Sequence, residues 1–416
     1  MRKKAAGAAQ LPLPKTGGLR LVPGGVTAPC GFEAAGVRCG LKQRGLDLAL
    51  VYSVAPAVGV GLFTTNQVQA APVVVSRDRV GRSSVHAVLV NSGNANACTG
   101  PRGYQDALEM AERAGEALGV PPRSVLVCST GVIGRPLDMG KVRLGIADVV
   151  AALSPEGGEA AAKAIMTTDT RPKSVAVEFE VAGRPVRVGG MAKGAGMISP
   201  QVATMIAVLT TDADLSPTLA HACLAEAAEQ SFNRITVDGD MSTNDAVVLL
   251  ANRQAEAGAI KAGHGLHRFQ LALGYVTAWL ARELAADGEG ASKLVQVRVV
   301  GADSEREALR VARAIANSPL VKTALAGGDP NWGRVLAAAG RAGVRFRPEL
   351  VDLRLGRVQV VRRGAGCPYD PEAAAEAVAG REVEIVLDLN AGEAEARVWT
   401  CDLTKEYVAI NAEYHT

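Results

Sequence analysis

The stretch KGAGMISPQVATMIAVLTTDA, from Lys193 to Ala213, changes character in its middle. Its first half is a glycine-rich polar loop carrying Gly194, Gly196 and the pair Ser199-Pro200. Its second half, Met205 to Leu209, is a short apolar run rich in branched side chains, the pattern of a buried strand. Thr204 stands at the seam, after the small residue Ala203. A peptide bond between a loop and a buried strand is sheltered, and here a hydroxyl lies beside it. If that hydroxyl cut the Ala203–Thr204 bond, Thr204 would become an N-terminal residue with a free amine. An α-amine has a pKa near ~7.7–8.0, so a useful fraction is neutral and can act as base for the Thr204 Oγ. Composition alone keeps a plainer alternative open: a threonine that begins a core strand because it is a good β-former.

Outward from this stretch, the 416-residue chain is too long for one small core, which implies two domains or one large layered domain with an appendage. It is rich in hydrophobic residues, Gly and Ala but poor in aromatics, which suits an α/β protein of closely packed helices and sheets. A net charge of +3, evenly spread, gives no case for nucleic acid. Seven single cysteines without a CxxC pair read as reduced thiols in a cytoplasmic protein. The basic start Arg2-Lys3-Lys4 leads into an Ala-rich run broken by Gln10 and Pro12, so residues 1–24 are expected to be a disordered tail rather than a signal peptide. No run of about 18 apolar residues exists, and no membrane span is expected.

Along the chain, Leu48–Val54, Val58–Phe63 and Pro72–Ser76 read as consecutive strands, and Val85–Val90 as another, ending in NSGNANACTG (91–100). Asparagines and glycines there suit a loop lining a site. Tyr104–Leu118 is an amphipathic helix. Ser124–Cys128 is a strand that runs into STGVIG (129–134), where backbone N–H groups can point at a developing oxyanion. Helices follow at 141–153 and 156–165, then the hydroxyl-rich cluster Met166-Thr167-Thr168-Asp169-Thr170. Val175–Val181 and Pro185–Val188 form a hairpin around Ala182-Gly183. Ser216 caps a helix opened by Pro217. Leu266–Ala286 is the longest helix, and a domain boundary is placed near residue 290. Beyond it come a strand at 294–300, helices at 305–316, after Trp332 and at 371–379, and strands within 351–362, 382–389 and 395–403.

Several chemistries fail on spacing. Asp238, Asp240 and Ser242 hint at a calcium loop, but Thr243 and Leu249 stand where glycine and glutamate are needed. The polar residues of 233–245 are instead expected to pave one side of an extended segment in the site. His264 and His267 lack a third ligand and a zincin spacing, so no metal is expected. Neither a GxSxG elbow, a dinucleotide fingerprint nor a Walker A motif occurs, and no organic cofactor is expected. A self-activated threonine is the best remaining nucleophile.

Eight stretches agree with one family, in its order and over nearly the whole chain from about residue 25: NSGNANACTG, STGVIG, AIMTTDT, KGAGMISPQVATMIAVLTTDA, NRITVDGDMSTND, DGEGASK, GGDPNWGR and INAEYHT. They resemble the ornithine acetyltransferases, also called bifunctional glutamate N-acetyltransferases. The resemblance implies a precursor that cuts itself between Ala203 and Thr204, with Thr204 as nucleophile and Thr130 and Gly131 as the oxyanion pair. Thr167, Lys193, Glu289, Asn411 and Thr416 fall on the family's substrate positions. It further implies an α-β-β-α sandwich of the autoprocessing N-terminal-nucleophile type over residues 25–290, and a smaller α/β domain over 291–416 with C-terminal substrate contacts. An α2β2 heterotetramer of the cut chains is also implied. Departures from the family pattern are Met241 in DGDMST, Gly328 before Asp329, and His415 in place of an arginine.

The implied reaction is ping-pong transfer of acetyl from N-acetylornithine to glutamate through acetyl-Thr204, in arginine biosynthesis, without cofactor or metal. Acetyl-CoA stays open as a second donor. An autoprocessed amidase or aminopeptidase on the same fold would share Thr204 and release acetate without glutamate. A non-enzymatic binding protein would stay uncut.

Overall fold

The structure is a computed structural model that describes residues 11–81, 84–199 and 205–413. Its first nine strands are β1 (Arg20–Leu21), β2 (Phe32–Val37), β3 (Leu48–Phe63), β4 (Val85–Asn94), β5 (Val125–Val132), β6 (Lys173–Val181), β7 (Arg184–Lys193), β8 (Ile206–Thr211) and β9 (Ala246–Ala251). They hydrogen-bond in the order β1-β6-β7-β8-β9-β3-β4-β5, with β2 also beside β3. The helices among them are α1 (Ala71–Arg79), α2 (Gly100–Leu118), α3 (Met139–Ala151), α4 (Gly158–Ala164), α5 (Pro217–Glu229) and α6 (Gly263–Ala286).

Strand β3 makes this network into two layers. Its first half pairs with β2 and β4, and from Val58 onward it pairs with β9. Pro56 sits at the changeover, where no ladder N–H is needed. Side chains then sort by the period of two. Ile206, Val208, Val248 and Leu250 pack against Val51, Val88, Val90 and Leu126 from the other leaf. Their neighbours Ala207, Leu209, Val247 and Leu249 pack outward under α5 and α6. On the far side Leu50, Leu89 and Val127 pack under α2 and α3. The result is an α-β-β-α sandwich.

After α6 the chain builds a second sheet from β10 (Leu294–Ala302), β11 (Asp352–Leu355), β12 (Val358–Arg362), β13 (Ala365–Gly366), β14 (Glu382–Asp388) and β15 (Ala394–Cys401). Their order is β13-β12-β11-β14-β10-β15, and β10 and β14 run parallel. Helices α7 (Glu305–Ala316), α8 (Pro319–Ala326), α9 (Trp332–Gly340) and α10 (Pro371–Ala379) accompany it, and α11 (Lys405–Glu413) follows β15. This sheet has its own core, with Val297, Val299, Leu353 and Ile385 packed against Val311, Ile315 and Val378.

Some elements differ from the sequence expectation. Pro72–Ser76 is not a strand but lies inside α1. Pro72 opens the helix without needing an N–H, and the Ala70 carbonyl accepts from Val73 and Val74. The Ser76 hydroxyl both donates to and accepts from the backbone of Val127, so tertiary contacts override the β preference of three valines. Leu48–Phe63 is one strand rather than two. Helices α8 and α11 were not anticipated. Of the tail expected over 1–24, the described residues from 11 onward are tied to the domain: the Tyr275 hydroxyl donates to the Leu11 carbonyl at 2.8 Å, and β1 pairs with β6. All seven cysteines carry free thiols, and no helix among the described residues is long and apolar enough to cross a membrane.

Helix α6 matters most to the site, because its C-terminal end delivers residues 287–289. Phe269 of α6 is fully buried and meets Phe179 of β6 with ring centroids 6.4 Å apart. Phe269→Ala should cost about 3–5 kcal/mol through the lost transfer and the cavity left behind. Urea unfolding followed by far-UV circular dichroism would read this as a lower midpoint at unchanged slope.

Candidate active site

Six of the residues singled out in the sequence line one cleft: Thr130, Gly131, Thr167, Lys193, Glu289 and Asn411. The cleft has a volume of about 620 Å³ including its mouth. They arrive from five separate parts of the chain: Thr130 and Gly131 from the end of β5, Thr167 from the α4–β6 connection, and Lys193 as the last residue of β7. Glu289 follows α6 and Asn411 lies in α11. Ala203, Thr204 and Thr416 lie outside the described residues.

Lys193 is the centre of the cleft floor. It is only 3% exposed, and its Nζ donates to Thr130 Oγ1 at 3.1 Å and to Thr167 Oγ1 at 2.7 Å. Burial pushes its pKa below the ordinary lysine range, against the pull of nearby Asp169; Lys173 pushes the same way as burial. Because both hydroxyls accept from Lys193, each keeps its own O–H free to donate into the cleft.

Beneath Lys193 the charges alternate. Asp169 Oδ1 accepts from the Gly194 N–H and from Lys173 Nζ, both at 2.7 Å. Lys173 Nζ also donates to Asp287 Oδ2 at 2.6 Å. The side chains of Asp169, Lys173 and Asp287 have no exposed surface. Arg171 extends the chain outward to Asp287 and Glu283. Burial raises the Asp169 pKa, but Lys173, Lys193 and the Gly194 N–H outweigh it and hold the carboxylate far below its usual range. A carboxylate depressed in this way adds stability above its unfolded pKa of about 3.9, and that stability drains as pH falls through the lower folded value.

The loop from Gly194 to Ser199 is pinned on both sides. The Glu289 N–H donates to the Ala195 carbonyl at 2.8 Å. The Asp238 carboxylate accepts from Met197 N–H at 2.7 Å and Ile198 N–H at 3.0 Å. Gly196 passes so close to Glu289 that a Cβ there would lie 2.5–2.8 Å from its carboxylate atoms. At the mouth, Asn411 Nδ2 donates to Glu289 Oε2 at 2.8 Å. Gly131 has φ 133°, and a Cβ would meet the Gly93 carbonyl carbon at 2.4 Å, so this position near the end of β5 admits no side chain. Among the described residues, no three His, Cys, Asp or Glu side chains are grouped to hold a metal ion.

Residues 33–416 match the ArgJ family.

The chain belongs to the ArgJ family.

It is 52% identical over 397 residues, 94% of this chain and 99% of the other, to the arginine biosynthesis bifunctional protein ArgJ of Symbiobacterium thermophilum. The protein of that name from a Synechococcus strain is 48% identical over 407 residues, covering 95% of this chain and 98% of its own. Among solved structures, an ornithine acetyltransferase from Mycobacterium tuberculosis in complex with ornithine is 45% identical. It covers 44% of this chain and 98% of its own, with a TM-score of 0.41.

In this ArgJ-family chain the residues that sequence reasoning passed over are the supporting ones. Lys173 precedes the strand expected at Val175–Val181 and Asp287 follows the longest helix, and neither local setting marks a buried ion group. Only the topology, which brings the start of β6 beside the end of α6, shows that they neutralise each other. Asn244 and Asp245 fell within a segment expected to face the site, and Ser242 and Asn244 do line the cleft.

Lys173→Met would leave Asp169 and Asp287 buried with one cation fewer. A loss of about 3–5 kcal/mol is expected, the usual result of removing one partner from a buried ionic group. Thermal unfolding at pH 7 and pH 5 would check it: the variant should melt well below the parent at both.

Proposed function

We propose that this ArgJ-family protein moves an acetyl group from N-acetylornithine to glutamate through an acetyl-Thr204 intermediate. The observation that carries the reading is the Lys193 ammonium held between two hydroxyls, in the cleft lined by Glu289 and fed by the loop that precedes residue 204. The precursor is cut between Ala203 and Thr204, and the freed amine serves as base for Oγ. Attack on the acetyl carbonyl develops a negative oxygen. The Thr130 hydroxyl, accepting from Lys193 and free to donate, and the backbone at Thr130 and Gly131 answer that charge; a donor of this kind is worth roughly 3–4 kcal/mol. Ornithine leaves, and the amine of glutamate takes the acetyl group.

Both donor and acceptor are amino acids, so one positive and one negative anchor suffice. Lys193 grips the α-carboxylate common to both, and Glu289, steadied by Asn411, meets the ornithine ammonium. Thr167 orients Lys193, and Thr416 supplies a C-terminal substrate contact. The name carried by the relatives, bifunctional, fits acetyl-CoA as a second donor. The cut chains are proposed to assemble as an α2β2 heterotetramer in the cytoplasm.

The decisive experiment is mass spectrometry of the purified protein, first with N-acetylornithine and then with glutamate. Two chains split at Thr204, a 42 Da adduct (the mass of an acetyl group in place of a proton) on Thr204, and its transfer to glutamate are expected. Thr204→Ala should remain one chain without transferase activity. Acetate released without need for glutamate would favour an amidase instead.

The division of charges is tested by KM. Lys193→Met should weaken both substrates, and Glu289→Gln should weaken N-acetylornithine more than glutamate, by roughly 2–5 kcal/mol for the affected partner. In the parent, both KM values should rise as pH climbs through the depressed Lys193 pKa, earlier than an ordinary lysine would allow. If Lys193→Met leaves both KM values unchanged, this assignment of the cation is wrong.

A further inference from the structure

Two adjacent residues at the entry to β9 hold two different stretches of backbone beside the cleft. Asn244 is 6% exposed, and its Nδ2 donates to the Ala95 carbonyl at 2.6 Å and to the Ser129 carbonyl at 2.8 Å. Two carbonyl acceptors fix which end of the amide is nitrogen. The Thr243 hydroxyl donates to its Oδ1 at 2.5 Å, so the side chain cannot swing. The Ser129 carbonyl belongs to the peptide whose N–H is that of Thr130. In a planar trans peptide, fixing the carbonyl fixes the N–H direction as well.

Asp245 is 1% exposed, and its Oδ1 accepts from the Met205 N–H at 3.1 Å. That N–H belongs to the peptide formed by the carbonyl of residue 204. The Met205 carbonyl in turn accepts from Ala246 N–H at 3.1 Å, and the Asp245 carbonyl from Thr64 N–H at 3.0 Å. Thus one side chain of the dipeptide holds the Ser129–Thr130 peptide at the end of β5, and the next holds Met205, the residue between the proposed nucleophile and β8. The alternation of side chains along an extended segment places them on opposite faces.

We propose that Asn244 and Asp245 are joint positioning residues for acyl transfer, setting the separation between the nucleophile and the oxyanion donors. This rests on the acetyltransferase reading above. Neither residue donates to substrate; each acts through a peptide it holds. Burial also pushes the Asp245 carboxyl well above the usual carboxylate range, and the one bond asked of it, accepting from the Met205 N–H, is one an amide oxygen can also make. A misplacement of about 1 Å in such a site can cost about 100-fold in rate.

The test uses full-length enzyme with N-acetylornithine and glutamate. Turnover is normalised to the amount of Thr204 that becomes acetylated, which separates catalysis from incomplete chain cutting. Asn244→Ala and Asp245→Ala should each lower kcat about 100-fold with KM within about threefold. Asp245→Asn should stay within about fivefold of the parent, because the acceptor is retained. Asn244→Asp, with the size kept but the N–H donors gone, should fall as far as Asn244→Ala. The double alanine variant should lose little more than the worse single one, since both break one alignment. Alanine variants that keep parental kcat, a loss confined to KM, or an Asp245→Asn variant as poor as Asp245→Ala would each overturn the proposal. Should the alanine variants fail to fold, the Asp245→Asn and Asn244→Asp pair alone decides: equal activity in both refutes it. A parent enzyme that transfers no acetyl group would refute the function reading instead.

Discussion

A lysine ammonium with no exposed surface has to be answered by carboxylates, and the rest of the cleft depends on how Lys173 is answered. Taking three charges out of water is costly, and their mutual attraction repays that cost only when geometry is close and every remaining donor is used. Asp169 and Asp287 meet that demand from opposite directions: one from the connection after α4, the other from the end of α6. The Asp169 Oδ1 that accepts from Lys173 also accepts from the Gly194 N–H, which starts the glycine-rich loop. The ion group therefore fixes the start of the glycine-rich loop. Lys193 lies beside this group, and burial first, with the like charge of Lys173 second, holds its own charge less tightly than usual against the pull of Asp169.

Much of the fold was legible where one local rule acts alone. The Ser216–Pro217 start of α5 is such a case: the Ser216 hydroxyl accepts from Leu219 N–H, as a cap should. The limits 371–379 of α10, set by Asp370 and Pro371, were legible for the same reason. The turn at Ala182-Gly183 has both residues at positive φ, the form that a two-residue hairpin requires. Reading failed where distant contacts decide, as at Pro72–Ser76, where Val127 claims the serine hydroxyl. Within the cleft, Thr130 and Gly131 could be suspected from a strand followed by a glycine turn. Thr167, Glu289 and Asn411 came from family resemblance, since nothing in their own neighbourhoods marks them. Lys173, Asn244 and Asp245 were not legible as supports, because their partners lie far away in sequence.

Helix α11 shows how little is needed to close a polar site. None of its residues is buried, and Val408 is 64% exposed. What holds it over the mouth is polar: Tyr407 hydroxyl to Asp238, Asn411 to Glu289, and the Thr404 hydroxyl to the Gly290 carbonyl. Contacts of this kind exchange readily with water, so the helix can yield without exposing apolar surface.

Strands β8 and β9 lie in the middle of their leaf, with β7 on one flank and β3 on the other. Both flanking strands come from before residue 203, and both central strands from after 204. A break at that bond would sever the backbone and leave every rung of the ladder in place. Each fragment made alone would instead present raw sheet edges: β7 and β3 with an empty slot between them, or an isolated β8–β9 pair. Open edges of this sort recruit other chains. Two halves made by such a cut would therefore be inseparable partners, unable to part without unfolding the sheet that joins them.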